Sequence, residues 1–412
     1  MKKKILLICY GGGHSSIIKI IIDKLILNSD FDYVIIPLNG AIDNFKNTLY
    51  NDKVMTLSSF NILFDKDIDE ILKYGRMLLK ENYNPKIGIS KIESIFYLGL
   101  SFFDLVKEYG YCKAIEIYDQ KKRQAFMPMG TMIKILEHIK PDLIITTTSP
   151  RFEYATIKSA KFLGIKSLQI LDLFGDDYPI PTADYIITMN QAVADKLKLN
   201  GNISSCFYPI GQPVLEDTVY KVQNVNALLI KSNFELLSKK ILLFSPTRNF
   251  IFNDDFSLRE ELDVRLINDI IFNILDKVAI QLNIQILIRP HPSDNIINYN
   301  EYINGKDFYS YIPSLDLYQS IAISDFSLSY FSTISLQTLV CKKPSFTFNQ
   351  NPNLPYPWLE FTSQPFIFSS NYMELEANLL QNISNNIQVD LDNFFEMGSI
   401  DRINSLLIKL IN

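Results

Sequence analysis

Short apolar runs that each break off in loop-forming residues and then pass into a helix pattern recur along this chain, and that alternation constrains its fold more than any other feature. The first run, residues 4–9, is a strand candidate followed by the tight loop Gly11-Gly12-Gly13-His14 and a helix candidate over 15–27. Strand, glycine-rich loop and helix in that order form the βα start of a sheet with helices on both sides. The pattern returns at 34–37, 142–148, 166–172 and 184–189, with helix candidates at 154–163 and 191–199. Residues 65–124 carry helix-like spacing instead, with Ile68, Ile71, Leu72 and Met77 among the apolar positions. After a boundary near Gly211-Gln212-Pro213 comes a helix-prone stretch over 225–239, then strands at 240–244 and 284–288 around a long helix at 266–282. The second half thus repeats the architecture of the first without an obvious sequence repeat. A parallel sheet is the expected organiser of each half.

With 412 residues the chain exceeds one ordinary core and suits two domains. We expect an N-terminal Rossmann-like acceptor domain over 1–212 and a C-terminal Rossmann-like nucleotide-donor domain over 213–390. Residues 391–412 can form helix that packs back on the first domain. A net charge of −5 with no dense Lys/Arg stripe argues against nucleic acid. Cys9, Cys112, Cys206 and Cys341 lack metal or disulfide spacing and read as buried small hydrophobes. No secretory hydrophobic region follows Lys2-Lys3-Lys4, and the apolar stretch at 95–105 is too short to span a bilayer. The expectation is a cytoplasmic protein, with peripheral contact at the inner face of the membrane through those lysines or residues 94–105 left open. A homodimer is also left open.

Two later clusters look like walls of a nucleotide phosphate pocket. Arg289-Pro290-His291-Pro292 falls at the C-terminal edge of the strand candidate 284–288, where open α/β sheets bind ligands. Ser327-Leu328-Ser329-Tyr330-Phe331-Ser332-Thr333 leads into a helix candidate, whose start offers hydroxyls and N–H groups to an anion. His291 can donate to a phosphate, Arg289 or Arg248 can add charge, and Ser329, Ser332 and Thr333 can complete the seat. A turn partner explains His291 equally simply, a surface ion pair explains the arginines, and helix capping explains the hydroxyls. His14 is the leading base candidate, with a loop hydrogen bond as its local alternative. Glu153, Asp172, Asp176 and Asp177 lie near other strand exits and are further acid–base candidates. Asp316 and Tyr318 read as base or ribose contacts or as a helix cap and a packed aromatic, and Trp358 as a pocket cover or a packing anchor. His138 reads as a helix terminator.

The run Ile241-Leu242-Leu243-Phe244-Ser245-Pro246-Thr247-Arg248 resembles the strand and Pro-Thr loop of the CDP-glycerol glycerophosphotransferase family. The likeness continues in order through Leu287 to Pro292, Leu317-Tyr318, Ser324 to Ser327 and Lys343-Pro344, although Gln337 stands where an Asp often follows in that family. The His-Pro pair and hydroxyl cluster are also similar to those of bacterial sialyltransferases and Kdo transferases that use CMP-activated donors. Gly11-Gly12-Gly13-His14 resembles the glycine-rich loop of inverting GT-B glycosyltransferases acting on cell-envelope precursors. Gly211 and Pro213 resemble the Gly-x-Pro turn between GT-B domains.

These resemblances imply an α/β protein of the GT-B type, two Rossmann-like domains with parallel sheets facing across a cleft. They place Gly12, Gly13, Thr247, Arg248, Arg289, Pro292, Ser329, Ser332 and Thr333 on the ligand, and His14, His291, Asp172 and Glu153 in the chemistry. The implied activity is an inverting, metal-independent glycosyltransferase that needs no cofactor. It moves a sugar from a nucleotide donor, CMP-linked sialic acid or Kdo in type, to a lipid-linked or surface glycan in capsule or lipopolysaccharide synthesis. The alternatives are a CDP-glycerol-dependent glycerophosphotransferase, a UDP-sugar 2-epimerase and a non-catalytic nucleotide-sugar binding protein.

Overall fold

The computed structural model describes residues 2–25, 31–46, 48–83, 90–175, 180–202, 204–246, 264–291, 294–330, 332–349, 359–385 and 387–411. The chain divides into two compact units, Met1–Val214 with Met397–Asn412, and Leu215–Glu396.

The first unit is built on a six-stranded parallel sheet in the order β2-β1-β3-β4-β5-β6. Its elements run β1 (Lys3–Cys9), α1 (Gly13–Leu25), β2 (Phe31–Pro37), α2 (Ile42–Phe45), α3 (Ile68–Asn82), α4 (Lys91–Tyr109), α5 (Tyr111–Lys121) and α6 (Met129–Ile139). They continue β3 (Leu143–Thr146), α7 (Phe152–Leu163), β4 (Lys166–Ile170), β5 (Tyr185–Ile187), α8 (Gln191–Leu199) and β6 (Cys206–Tyr208). β1 is apolar along its length because both faces are covered. Leu6 and Ile8 enter one core with α3, α4 and α6, while Ile5, Leu7 and Cys9 enter the other with α1. A side-chain period of two delivers alternate residues to opposite faces, so a doubly covered strand needs apolar residues at every position. The last helix, α16 (Ser399–Ile411), adds Ile403, Leu406, Leu407 and Leu410 to the α1 side of this core.

The 94–105 stretch is buried almost throughout α4. Its apolar surface is spent inside the protein and is not available for the membrane contact left open above. Among the described residues no helix is long and apolar enough to cross one.

The second unit has its own six-stranded parallel sheet, β12-β11-β10-β7-β8-β9. It runs from α9 (Pro213–Gln223) and α10 (Ala227–Asn233) to β7 (Ile241–Ser245), α11 (Val264–Leu282), β8 (Gln285–Ile288), α12 (Asn300–Ile303), β9 (Tyr309–Ser310) and α13 (Leu317–Ile323). Then follow β10 (Phe326–Ser329), α14 (Thr333–Val340), β11 (Ser345–Phe348), β12 (Ile367–Ser369) and α15 (Tyr372–Ser384). The helix expected over 225–239 is shorter, covering Ala227–Asn233. Asn226 accepts from Leu229 N at 3.1 Å and caps α10, a competition with continuous helix that its short amide side chain favours. Lys343 secures the opposite end of α13, donating to the carbonyls of Ile321, Ala322 and Ser324 at 2.6, 2.8 and 2.5 Å.

Together the two sheets make an α/β fold consistent with the two-domain GT-B type.

Candidate functional site

In the first unit the strand order places the topological switch between β1 and β3. The chain leaves β1 for β2 on one side, whereas β3 leads to β4 on the other, and the loops beyond such a pair part to leave room for a ligand. The β1 exit is Tyr10 to Gly13. Gly12 has φ 71°, a left-handed conformation that glycine adopts without strain, and its carbonyl accepts from Ser15 Oγ at 2.9 Å. Gly13 is exposed and opens α1, which puts His14 in the first turn of that helix. The imidazole is half-buried, and its Nδ1 makes no hydrogen bond among the described residues.

Glu153 approaches from the β3 side, in the first turn of α7, and is 0% exposed. Its Oε1 accepts from Tyr10 N at 2.9 Å, and its Oε2 accepts from Thr147 N at 2.7 Å and Thr147 Oγ1 at 2.6 Å. Burial raises its pKa above the ordinary carboxylate value, and the charge on nearby His14 with the Thr147 and Tyr10 hydrogen bonds pulls the other way. Cys9, at the end of β1, is fully buried, and burial followed by the Glu153 charge pushes its thiol pKa well up. Cys112 and Cys206 depart from the expected buried role, since both are exposed.

Asp172 lies just past β4, partly exposed, and accepts from Thr148 Oγ1 at 3.3 Å, while its carbonyl accepts from Gln212 Nε2 at 3.1 Å. Gly12, Gly13, His14, Glu153 and Asp172 therefore gather along the C-terminal edge of three neighbouring strands, β1, β3 and β4. Asp176 and Asp177 lie outside the described residues.

Sequence reading missed the floor of this edge. Tyr10 and Tyr97 meet hydroxyl to hydroxyl at 2.8 Å with their rings nearly perpendicular, and the Arg151 guanidinium carbon sits 5.5 Å from the Tyr10 ring centroid. Arg151 holds φ 66° at the N-cap of α7, an uncommon conformation for a residue with a side chain. The Thr146-Thr147-Thr148 run was the one visible signal, three hydroxyls where an apolar strand ends. Nothing in the spacing of α4 marks Tyr97 as a partner for Tyr10.

In the second unit the switch lies between β7 and β10. Arg289 continues the ladder from β8, its N–H donating to Phe244 O at 2.8 Å. Its guanidinium turns to the start of α13, donating to Leu315 O at 3.1 Å and Ser320 Oγ at 3.3 Å, and burial lowers its pKa against the opposing charge of Asp316. His291 is half-buried past the end of β8, with its carbonyl accepting from Asp294 N at 2.8 Å.

The serines of β10 point inward. Ser329 is 1% exposed and shares a 2.6 Å hydrogen bond with Ser335, while Ser327 pairs with Ser345 at 2.7 Å. These hydroxyls join β10 to α14 and β11. Ser332 accepts from Ile334 N at 3.3 Å as the cap of α14, and Thr333 is exposed at the helix start. The structure thus brings His291, Ser332 and Thr333 to the open edge of this sheet and takes Ser329 into its interior. Thr247, Arg248, Pro292 and Trp358 lie outside the described residues. Asp316 caps α13 through Gln319 N at 2.7 Å, and Tyr318 takes a 3.4 Å hydrogen bond from Lys221. Among the described residues no group of His, Cys, Asp and Glu is arranged to hold a metal ion.

The sequence matches no family model, and no curated protein matches it either. Solved structures share its architecture over nearly the full length. UDP-GlcNAc 2-epimerase from Methanocaldococcus jannaschii superposes with a TM-score of 0.61 at 13% identity, covering 98% of this chain and 99% of that one. The Neisseria meningitidis UDP-GlcNAc 2-epimerase bound to UDP-GlcNAc gives 0.59 at 12% identity, covering 98% and 100%. A glycosyltransferase from Rickettsia africae gives 0.53 at 11% identity, covering 100% and 98%. At such identities the likeness is one of fold. It nonetheless corrects the expectation of an inverting glycosyltransferase fed by a CMP-linked sugar, because several full-length structural likenesses are to UDP-GlcNAc 2-epimerases, the UDP-sugar alternative kept above. The resemblance to CDP-glycerol glycerophosphotransferases and sialyltransferases rests on short strand-end motifs, which many sheets with ligands at their C-terminal edges share.

Proposed function

We propose that this protein is a nucleotide-sugar enzyme of the 2-epimerase kind, acting on a UDP-linked N-acetylhexosamine. The carrying observation is the placement of two acid–base groups, His14 and Asp172, on the same sheet edge. The strands they follow, β1 and β4, lie two strand spacings or about 10 Å apart, with Thr148 past the strand between them. Inverting a ring carbon needs a base on one face and an acid on the other, and groups so spaced suit the two faces of a sugar ring. The full-length likeness to UDP-GlcNAc 2-epimerases supports the choice of reaction.

The chemistry also asks for an anion seat. A ring C–H with no carbonyl beside it loses its proton to a base as UDP departs from the next carbon, leaving a double bond between the two carbons; reprotonation from the opposite face as UDP adds back completes the inversion. The charge gathering on the departing diphosphate is stabilised by fixed N–H and hydroxyl donors. The second unit offers such donors at the start of α14, Ser332 and Thr333, with the His291 imidazole past β8. The likeness to UDP-GlcNAc 2-epimerases favours uridine rather than cytidine as the base, and the reaction needs no acceptor.

The test is to incubate the protein with UDP-GlcNAc in deuterium oxide, without acceptor, and follow the sugar by NMR and mass spectrometry. The expected result is a C2 epimer carrying one deuterium. UDP-GlcNAc that binds and returns with neither inversion nor label would remove the reading.

A further inference from the structure

Glu153 is placed unlike a group that exchanges protons with a substrate. It is 0% exposed, and three donors of the chain itself occupy its two oxygens. A carboxylate has about four acceptor directions, so little of it is left to share. Two of its donors are backbone N–H groups from opposite sides of the switch, Tyr10 at the exit of β1 and Thr147 at the exit of β3. The loops beyond those strands diverge, and the carboxylate occupies the place where they part. Tyr10 is separated from His14 only by the three glycines, the last of which opens α1.

Burying a carboxylate is costly unless it is fully hydrogen-bonded, and an apolar side chain in the first turn of α7 would avoid the cost. The ionisable groups that interact with Glu153 from neighbouring elements are the Cys9 thiol of β1 and the His14 imidazole of α1. Of these, only the imidazole can carry a charge opposite to that of the carboxylate. A buried anion held on both strand exits, with the imidazole beside it, is an arrangement for placing that ring.

We infer that Glu153 is a positioning residue: its carboxylate ties the exit of β1 to the exit of β3 and so sets the location of the His14 imidazole. The inference deepens the proposed function, from which it takes only that His14 does acid–base work. Glu153→Gln is the informative change. The amide offers one oxygen where the carboxylate offers two, so its NH2 group must face the N–H of either Tyr10 or Thr147, and one arm of the tie is lost.

The experiment compares wild type, Glu153→Gln and Thr147→Val by three readouts: UDP affinity, turnover of UDP-GlcNAc, and the NMR signals of the three histidine rings. Thr147→Val removes the hydroxyl donor while keeping the N–H, and it serves as the milder variant if Glu153→Gln does not fold. In Glu153→Gln the His14 signals move while those of His138 and His291 stay, turnover falls on the order of 100-fold, and UDP affinity is unchanged. Thr147→Val gives smaller changes in the same directions. If wild type does not epimerise UDP-GlcNAc but the His14 signals still move, the proposed function fails and the positioning role stands. Unmoved His14 signals in both variants overturn the inference, and so does a loss of turnover matched by equal loss of UDP affinity.

Discussion

Gly75 of α3 and Gly99 of α4 are each pressed against the other helix's backbone. A Cβ on Gly75 would lie 2.1 Å from Ile95 O, and one on Gly99 would lie 2.2 Å from Ile71 O. Both distances are far inside van der Waals contact, so the two helices touch through the absence of side chains. Aromatic residues pack around this crossing, with the Tyr74 and Phe102 rings 5.2 Å apart.

Gly75→Ala and Gly99→Ala are therefore expected to destabilise the protein although alanine favours helix. The propensity gain is about 1 kcal/mol. Against it stands overpacking at a rigid backbone contact, about 3 kcal/mol or more because a carbonyl cannot rotate aside as a side chain would. The net loss of about 2 kcal/mol should lower the melting temperature by roughly 5 °C for each variant. A rise in melting temperature for either would show that the helices can separate at no cost.

Asp104, on the same α4, predicts a pH dependence. Its carboxylate accepts from Thr131 N at 2.8 Å, yet burial lifts its pKa to about 6, with Thr131 and Lys134 opposing the rise. The unfolded value is about 3.9. Between the two the folded chain holds more protons than the unfolded chain, so this residue's contribution to stability falls as pH rises from about 4 to about 6. Asp104→Asn keeps an acceptor for Thr131 and cannot ionise. Urea denaturation should show it gaining about 2 kcal/mol on wild type between pH 4 and pH 7. A constant difference across that range would place the carboxyl at an ordinary pKa.

The proposed roles of His14 and His291 predict opposite kinetic signatures. His14→Ala should leave UDP affinity in place and reduce turnover by about 10²- to 10⁴-fold, the usual contribution of a general acid or base. His291→Ala should weaken UDP roughly tenfold, as loss of one hydrogen bond to a charged phosphate implies. Calorimetric titration with UDP and initial rates with UDP-GlcNAc separate the two. Equal UDP affinity in wild type and His291→Ala would take that imidazole out of the nucleotide seat.

Much of the framework is legible in residue order, because strand and helix periods are local. Residues 4–9, 142–148, 166–172 and 184–189 all mark strands, and Gly11 to His14 marks the turn into α1. The reading failed where polar side chains find partners that residue type alone does not announce. Ser329 looks like a phosphate ligand in sequence, since a hydroxyl beside a helix start suits an anion, but its partner is Ser335 within the core. Asn226 looks compatible with helix until its amide is seen capping α10. Function was read from the short motifs at strand ends, and the GT-B type of sheet serves more than one nucleotide-sugar chemistry. The motifs therefore pointed to a glycosyltransferase where the structural likenesses favour an epimerase.

What the sequence alone determined is the alternation of buried strand, loop and helix, and with it the two parallel sheets. Each depends on side chains a few positions apart and on whether their faces are apolar. Only the tertiary structure decided that β3 lies beside β1, so that Glu153 meets Tyr10 143 positions away and brings a buried charge to His14. It decided equally that α3 and α4 meet at two glycines. Strand order and helix contact depend on how whole faces cover one another, and that is settled only when the cores close.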